Sequence, residues 1–150
     1  MANFDEILKN LHEGSVLTDT EEAITINATR EFEIPVGYNT TIAHRGDVNS
    51  QIITFRLPQY HESHNLKMCQ FQRLKWKNIT SGHEDFSNLK PVQETASDGY
   101  YKVQWEVPPE AFTAAGSLQI SISLYDLNEQ GRIAFSWNTP TFGGFSVGES

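Results

Sequence analysis

The sequence has few of the features that mark exported or membrane proteins. It contains one cysteine, Cys69, so no disulfide can form within the chain. The first residues lack the basic start and the apolar core of a signal peptide. No apolar run approaches the roughly 18 residues that a membrane-spanning helix needs. We therefore expect a protein that is synthesised in the cytoplasm without a signal peptide and that has no membrane partner.

Positive charge is also scarce. Eleven basic residues against nineteen acidic ones give a net charge of -8, which argues against a surface that follows a phosphate backbone. We therefore expect no nucleic-acid partner. The one basic cluster, Arg73, Lys75 and Lys77, alternates with apolar residues along a predicted strand. We interpret it as the solvated face of that strand.

Motifs that carry chemistry are missing as well. The sequence has no G-x-S-x-G elbow, no glycine-rich phosphate loop and no G-x-G-x-x-G fingerprint. The strongest candidate metal ligands lie in the stretch "YHESHN", with His61, Glu62 and His64, and in the group 83–85. No regular element spaces these side chains, so we interpret them as solvated loops. The sequence predicts no catalytic residue, no metal, no cofactor and no enzyme activity.

Residues 3–13 carry a helical pattern. The apolar residues fall at i, i+3, i+4 and i+7 and form one stripe: Phe4, Ile7, Leu8 and Leu11. Asn3 is placed to cap this helix and Gly14 to end it, and a polar linker runs on to residue 22. A helix of three turns is marginally stable alone. We expect its stripe to pack against the rest of the chain or against a partner.

From residue 23 to residue 150 the period of the pattern becomes two, which is typical of half-buried strands. The predicted inward residues are Ile53, Phe55, Leu57, Tyr101, Val103, Trp105, Val107, Leu118, Ile120, Ile122, Leu124, Ile133, Phe135 and Trp137. Turn signals lie at Asp98-Gly99 and in the loop 128–131, and "PPEAFTAAG" reads as a crossover between sheets. Eight or nine such strands predict a mainly β domain, an antiparallel β-sandwich that resembles a jelly roll.

The segment "MCQFQRLKWKN" shows a change of face. Cys69 and Phe71 share one side of a strand, whereas Leu74 and Trp76 share the other. We expect a β-bulge at this point. We also expect Cys69 to be a small buried hydrophobe rather than a reactive thiolate.

The aromatic residues near the C-terminus have two interpretations. Trp137, Phe142 and Phe145 lie in "FSWNTPTFGGFSVGES", where we expect Pro140 and Gly143-Gly144 to break the strand. These three rings either line a sugar platform or a protein contact, or they close one end of the sandwich. They are the candidate interaction residues of the β domain, beside the helical stripe.

Three segments, taken in order, resemble a known family. They are "GDVNSQIITFRLPQYHESHNL", "YYKVQWEVPPEAFTAAGSLQISISLYDL" and "IAFSWNTPTFGGFSVGES". Their order and spacing, over roughly residues 40 to 148, resemble the N-terminal domain of the phage baseplate upper protein family, found in tails of siphophages that infect Gram-positive bacteria. No single motif among them is a chemical signature.

The resemblance implies a virion structural protein. Its β-sandwich would dock on the tail hub, contact other tail and baseplate proteins, assemble as a homotrimer and present or anchor the components of host adsorption. Two features depart from the family pattern, namely the N-terminal helix with its linker and the end of the sequence at Ser150 without a heptad stalk. One alternative is a carbohydrate-binding module that recognises host cell-wall glycan. Another is a wall-degrading enzyme.

Overall fold

The protein is mainly β. The computed structural model describes residues 23–47, 51–92 and 98–149, and within these ranges the chain forms thirteen strands and two short 3₁₀ helices. None of the helices in the described ranges is long and apolar enough to cross a bilayer. The predicted helix at residues 3–13 and its linker lie outside the described residues.

The strands are short except along the two sheet centres. In chain order they are β1 (Ile24–Ile26), β2 (Phe32–Glu33), β3 (Thr41–His44), β4 (Gln51–Pro58), β5 (Tyr60–His61), β6 (His64–Asn65), β7 (Phe71–Asn78), β8 (Glu84–Asn88), β9 (Lys90–Pro91), β10 (Tyr100–Val107), β11 (Gly116–Leu127), β12 (Ile133–Asn138) and β13 (Phe142–Gly148). The 3₁₀ helices span Leu66–Met68 and Pro109–Phe112.

Two sheets enclose one hydrophobic core, so the predicted β-sandwich is confirmed. The first sheet has the order β2-β1-β4-β10-β9. The second has the order β3-β13-β11-β7-β8, and β12 also pairs with β11. β5 and β6 form a separate small hairpin. The structure has more strands than the sequence predicted because four of them are only two residues long.

The sandwich is not antiparallel throughout. β1 pairs parallel with β4, and β3 pairs parallel with β13, whereas the other pairings in the described ranges are antiparallel. Between β1 and β4 the chain runs through β2 and then β3, which belongs to the opposite sheet. A chain that leaves its sheet in this way can return in the same direction, which a tight hairpin does not allow.

All but one of the predicted inward residues contribute to the core. Those of β4, β10 and β11, together with Trp137, are at most 3 % exposed, and Phe135 packs partly buried against them. The prediction for Ile133 is wrong: it is 63 % exposed, at the point where the register between β11 and β12 shifts. The central pair β4 and β10 is in register from Tyr100 opposite Pro58 to Val107 opposite Gln51. β11 is in register with β7 over a similar length, from Leu118 opposite Asn78 to Tyr125 opposite Phe71. Because side chains alternate along a strand, these registers direct one face of each sheet into the core.

The predicted bulge near Cys69 is wrong. The register between β7 and β11 shows no shift, and β7 begins only at Phe71. Cys69 comes before the strand, where the 3₁₀ helix ends, and its backbone N–H donates to the Leu66 carbonyl at 3.1 Å. Phe71 and Leu74 lie on opposite faces by the ordinary alternation of β7, and Cys69 reaches the core from the 3₁₀ turn before the strand. The predicted burial of Cys69 is confirmed, since the residue is 6 % exposed.

The crossover between the sheets, predicted from "PPEAFTAAG", is held by one buried amide. Asn78, at the end of β7, is fully buried. Its Nδ2 donates to the carbonyls of Ala111 and Ala114 at 2.9 and 2.7 Å, and its Oδ1 accepts the backbone N–H groups of Thr80 and Ser81 at 3.1 and 3.0 Å. The side chain thus fixes both the crossover and the turn that follows β7.

We expect the substitution Asn78→Asp to destabilise the protein by at least about 3 kcal/mol. A carboxylate accepts but cannot donate, and each buried polar group left without its partner costs about 1–3 kcal/mol. Asn39→Asp is the matched control, because the exposed Asn39 only accepts a hydrogen bond, from the Thr41 N–H at 3.0 Å. Urea unfolding measures both variants. Equal unfolding free energies for the two would contradict this role of Asn78.

Candidate functional site

The structure places two of the three predicted C-terminal interaction residues in the core. Trp137 is 0 % exposed and Phe145 is 1 % exposed. Trp137 lies opposite Leu124, and Phe145 lies opposite Leu118, so both rings share the inner face of β11. The prediction that they form part of a contact surface or sugar platform is therefore wrong. They close the sandwich, as the other interpretation held.

A bulge in β13 explains why both phenylalanines face inward. Phe142 lies opposite Ile120 and Phe145 opposite Leu118, so three steps along β13 match two steps along β11. In a regular strand, residues three apart point to opposite faces. The extra residue lies within Gly143-Gly144 and restores the inward direction. The expected break of the strand at these glycines is wrong, because β13 continues through them.

Phe142 is only partly buried and packs within an aromatic cluster. Its ring stacks on Phe32 at 4.8 Å between centroids and meets Phe145 edge-on at 5.3 Å. The ring also lies over Gly144, where an added Cβ would come within 2.3 Å of it. Phe142 therefore links Phe32, the first residue of β2, to the core.

The helical stripe cannot be placed. Phe4, Ile7, Leu8 and Leu11 lie outside the described residues, so their role in a contact stays a prediction.

The histidine stretch forms the β5–β6 hairpin rather than an irregular loop. His61 lies opposite His64, and its Nε2 is 3.9 Å from the Glu62 carboxylate. The interpretation of His64 as a solvated loop residue is wrong. Its side chain is 36 % exposed, its ring stacks on Phe135 at 3.6 Å, and its Nε2 is 3.1 Å from Asp126 Oδ2.

The buried thiol of Cys69 and the buried hydroxyl of Tyr101 have raised pKa values. Burial, with a smaller contribution from the Asp126 carboxylate, raises the pKa of the Cys69 thiol to about 11. Burial likewise raises the pKa of Tyr101, whose hydroxyl donates to Gln72 Oε1 at 2.8 Å. Both groups are protonated at neutral pH, so in the free protein Cys69 lacks the thiolate that a nucleophile needs.

The best-formed exposed site is the outward side of the second sheet. We call it the β7 face: Phe71, Arg73, Lys75, Lys77, Phe86 and Tyr125. The alternate residues of β7, from Gln72 to Asn78, are buried, which directs the basic residues outward. This confirms the prediction that the basic residues occupy the solvated face of the strand. Phe86 of β8 lies beside Lys75, and Tyr125 of β11 lies beside Phe71.

Arg73 joins the aromatic residues of the β7 face. Its Nη1 donates to the Tyr125 hydroxyl at 3.2 Å, and its Nε donates to Asn88 Oδ1 at 3.3 Å. Its guanidinium carbon lies 5.6 Å from the centre of the Phe86 ring. The rings of Phe71 and Tyr125 stack at 4.9 Å. These contacts hold the arginine in one orientation between rings, while Phe86 remains 53 % exposed.

The charge of the β7 face is opposite to that of the chain. The face carries three basic residues, and the ammonium of one of them, Lys75, lies 3.8 Å from the Glu84 carboxylate with both side chains 48 % exposed. An exposed pair of this kind contributes little energy. A groove of about 440 Å³ adjoins the face between Phe71, Arg73 and Pro91. The face therefore offers aromatic area, a fixed arginine and a concave margin to an acidic partner.

The sequence alone did not single out this face. The period of two in "FQRLKWKN" indicated which side of β7 is outward. Nothing in the pattern indicated that Phe86 and Tyr125 lie beside it, because both come from other strands of the sheet.

Comparisons with known proteins found no relative. No family model matches the chain, and neither a curated protein nor a solved structure matches it.

We expect Gly144→Ala to destabilise the protein by about 1–3 kcal/mol, because its Cβ would enter the space of the Phe142 ring and overpack the cluster. Gly143→Ala is the matched control. An added Cβ there would meet only the Gln119 side chain at 3.8 Å, an ordinary contact. Thermal and denaturant unfolding compare the two variants. A Gly143→Ala protein that is as unstable as Gly144→Ala would show that the register of the bulge is misplaced.

Proposed function

We propose that this chain is a virion structural protein of a phage tail baseplate. In this role it is an adaptor that docks on the tail hub and presents or anchors the components that recognise the host. The order and spacing of the three family-like segments support the proposal, and so does the β-sandwich fold. The segments coincide with elements of the sandwich: the "I-T-F-R" residues lie in β4, the "W-x-V-P" residues end β10, and the "W-N-T-P" residues end β12.

The β7 face is the observation that carries a contact function. Aromatic residues and arginine are enriched at the centres of protein interfaces, and they contribute most of the binding energy there. Phe86, Arg73 and Tyr125 lie together on one exposed sheet face. Their surroundings are basic although the chain carries a net charge of -8. We infer that the partner surface on the hub is acidic.

The helix predicted at residues 3–13 supplies a second contact in this proposal. Its four apolar residues form one stripe, and about eight polar residues separate them from the β domain. A stripe of this kind fits a groove on a partner or on another copy of the chain. The homotrimer that the resemblance implies would bring three such helices together.

We expect the double substitution Phe86→Ala/Arg73→Ala to weaken binding to the purified tail hub protein by about 2 kcal/mol or more, the loss typical of central interface residues. Both side chains lie on the surface, so the free energy of unfolding should change by little more than about 0.5 kcal/mol. Ile133→Ala is the control, since Ile133 is 63 % exposed but lies on β12. Titration calorimetry measures the binding at two salt concentrations, and added salt should weaken it.

Failure of this test has two distinguishable forms. If the parent chain does not bind the hub and is absent from purified virions, the adaptor function is wrong. If the parent binds and the double variant binds equally well, the function stands and the β7 face is not the contact.

We expect the truncated chain 15–150 to keep its melting temperature and to lose self-association or hub binding. A polar linker separates the predicted helix from the β domain, and the truncation leaves every described strand intact, since β1 begins at Ile24. Differential scanning calorimetry and sedimentation velocity measure the two properties. A fall in melting temperature would instead show that the helix covers the sandwich, and the docking role of its stripe would be wrong.

A carbohydrate-binding module that recognises cell-wall glycan is the second candidate. The burial of Trp137 and Phe145 removes the platform predicted for it. The β7 face offers another, because the exposed Phe86 ring lies near the Arg73 guanidinium and the Asn88 amide. Purified wall glycan in the same calorimeter separates the candidates. Glycan binding that the double variant loses would favour this one.

A further inference from the structure

One cluster of side chains lies outside the β7 face and takes no part in the proposed contact. The ligand atoms of His64, Cys69 and Asp126 all lie within 4.8 Å of one another. They come from β6, from the end of the first 3₁₀ helix and from β11. The cluster thus unites an imidazole, a thiol and a carboxylate at one end of the sandwich core.

The local fold brings the three residues together. The 3₁₀ helix Leu66–Met68 turns the chain between His64 and Cys69, and the buried Leu66 anchors this turn in the core. Asp126 lies opposite Phe135 on β12. It therefore points to the same side of the sheet as the Phe135 ring, on which the His64 imidazole stacks.

Two of the side chains are already oriented. The His64 ring is nearly parallel to the Phe135 ring, with 8° between their planes and 3.6 Å between their centres. Asp126 Oδ1 accepts the Gln70 backbone N–H at 2.7 Å. This bond directs Asp126 Oδ2 toward His64 Nε2, at 3.1 Å. Contacts behind a ligand that fix its direction in this way are the rule in metal sites.

The distances fit a tetrahedral ion. Zn²⁺ binds nitrogen and oxygen at about 2.0–2.2 Å and sulfur at about 2.3 Å, so ligand atoms around it lie roughly 3.3–3.6 Å apart. The separation of 3.1 Å between His64 Nε2 and Asp126 Oδ2 is close to this range. Cys69 Sγ lies within 4.8 Å of the other two ligand atoms, so it has to move by about 1 Å at most to reach the tetrahedral spacing.

We propose that His64, Cys69 and Asp126 bind one Zn²⁺ ion. The ligands are His64 Nε2, Cys69 Sγ as the thiolate and one carboxylate oxygen of Asp126, and a water molecule completes the tetrahedron. When the ion binds, the Cys69 thiol loses its proton to solvent and a Zn–S bond forms. A soft thiolate with an imidazole favours zinc over magnesium or calcium, which prefer oxygen ligands.

The competing interpretation is an ion pair alone, in which Asp126 accepts a hydrogen bond from His64 and the thiol is only a core residue. The thiol distinguishes the two, because an ion pair between His64 and Asp126 does not need sulfur. Co²⁺ is the probe, since a cobalt–thiolate bond gives an intense charge-transfer band in the near ultraviolet. The visible spectrum of Co²⁺ also reports four-coordinate geometry.

The experiment uses the full 150-residue chain, freed of metal by a chelator and titrated with Zn²⁺ and with Co²⁺. The expected result is binding of one ion per chain, the cobalt–thiolate band, and a melting temperature that rises with Zn²⁺. Cys69→Ala should lose the band and weaken Zn²⁺ binding by more than about 100-fold, since loss of an outer partner alone costs about 10–100-fold. His61→Ala, which removes the neighbouring imidazole of the same hairpin, should leave both unchanged.

A second variant keeps the test decisive if Cys69→Ala does not fold. Asp126→Asn keeps the oxygen that accepts the Gln70 N–H and loses the charged ligand, and it should also weaken Zn²⁺ binding. The proposal is wrong if the parent binds neither ion stoichiometrically. It is equally wrong if Cys69→Ala, or Asp126→Asn in its place, binds as tightly as the parent. Both results are read from metal binding alone, so they are distinguishable from a failure of the hub-binding test.

Discussion

The sandwich depends on the buried side chain of Asn78, which holds the crossover where the chain passes from the first sheet at β10 to the second sheet at β11. Strand pairing fixes each sheet internally but does not fix how the connection between them is held. Asn78 supplies this restraint by donating to two carbonyls of the crossover and accepting two N–H groups of its own turn. The same residue lies in an N-x-T sequon, yet it is fully buried. A glycan on its side chain is therefore incompatible with this fold.

The long strand β11 gives the two ends of the second sheet different properties. Along its first half it pairs with β13, and along its second half with β12. Toward β13 the inward residues are wholly apolar, and the bulge at Gly143-Gly144 adds a further aromatic ring. Toward β12 the inward series ends in Asp126, which a purely apolar core would not tolerate without partners. His64 and the Gln70 N–H provide those partners. This end of the core therefore brings a carboxylate, an imidazole and the Cys69 thiol close together.

The sequence predicted the features that depend on neighbours along the chain. A period of two identified the inward residues of β4, β10 and β11, because one buried face imposes that period on every strand. It could not predict the parallel pairings, nor that Phe86 of β8 and Tyr125 of β11 lie beside β7, since these features depend on which strands are neighbours in the sheet. The glycines were misjudged for a related reason. Gly143-Gly144 read as a strand break, whereas pairing with β11 turns them into a bulge. Likewise, His64 pairs with a carboxylate 62 residues away, and no local pattern reveals such a partner.

The β7 face and the proposed zinc site are joined by neighbouring residues of the chain. The orientation of side chains on the β7 face therefore depends on the cluster. Cys69 and Gln70 contact Asp126, and the next residue, Phe71, stacks on Tyr125 at the edge of the β7 face. Asp126 follows Tyr125 directly on β11. The start of β7 and the end of β11, which carry the stacked rings, therefore both lie beside the cluster. An ion bound there would cross-link these two strand ends. Arg73 donates a hydrogen bond to the Tyr125 hydroxyl. An ion that fixes the end of β11 would therefore also restrict the orientation of Arg73.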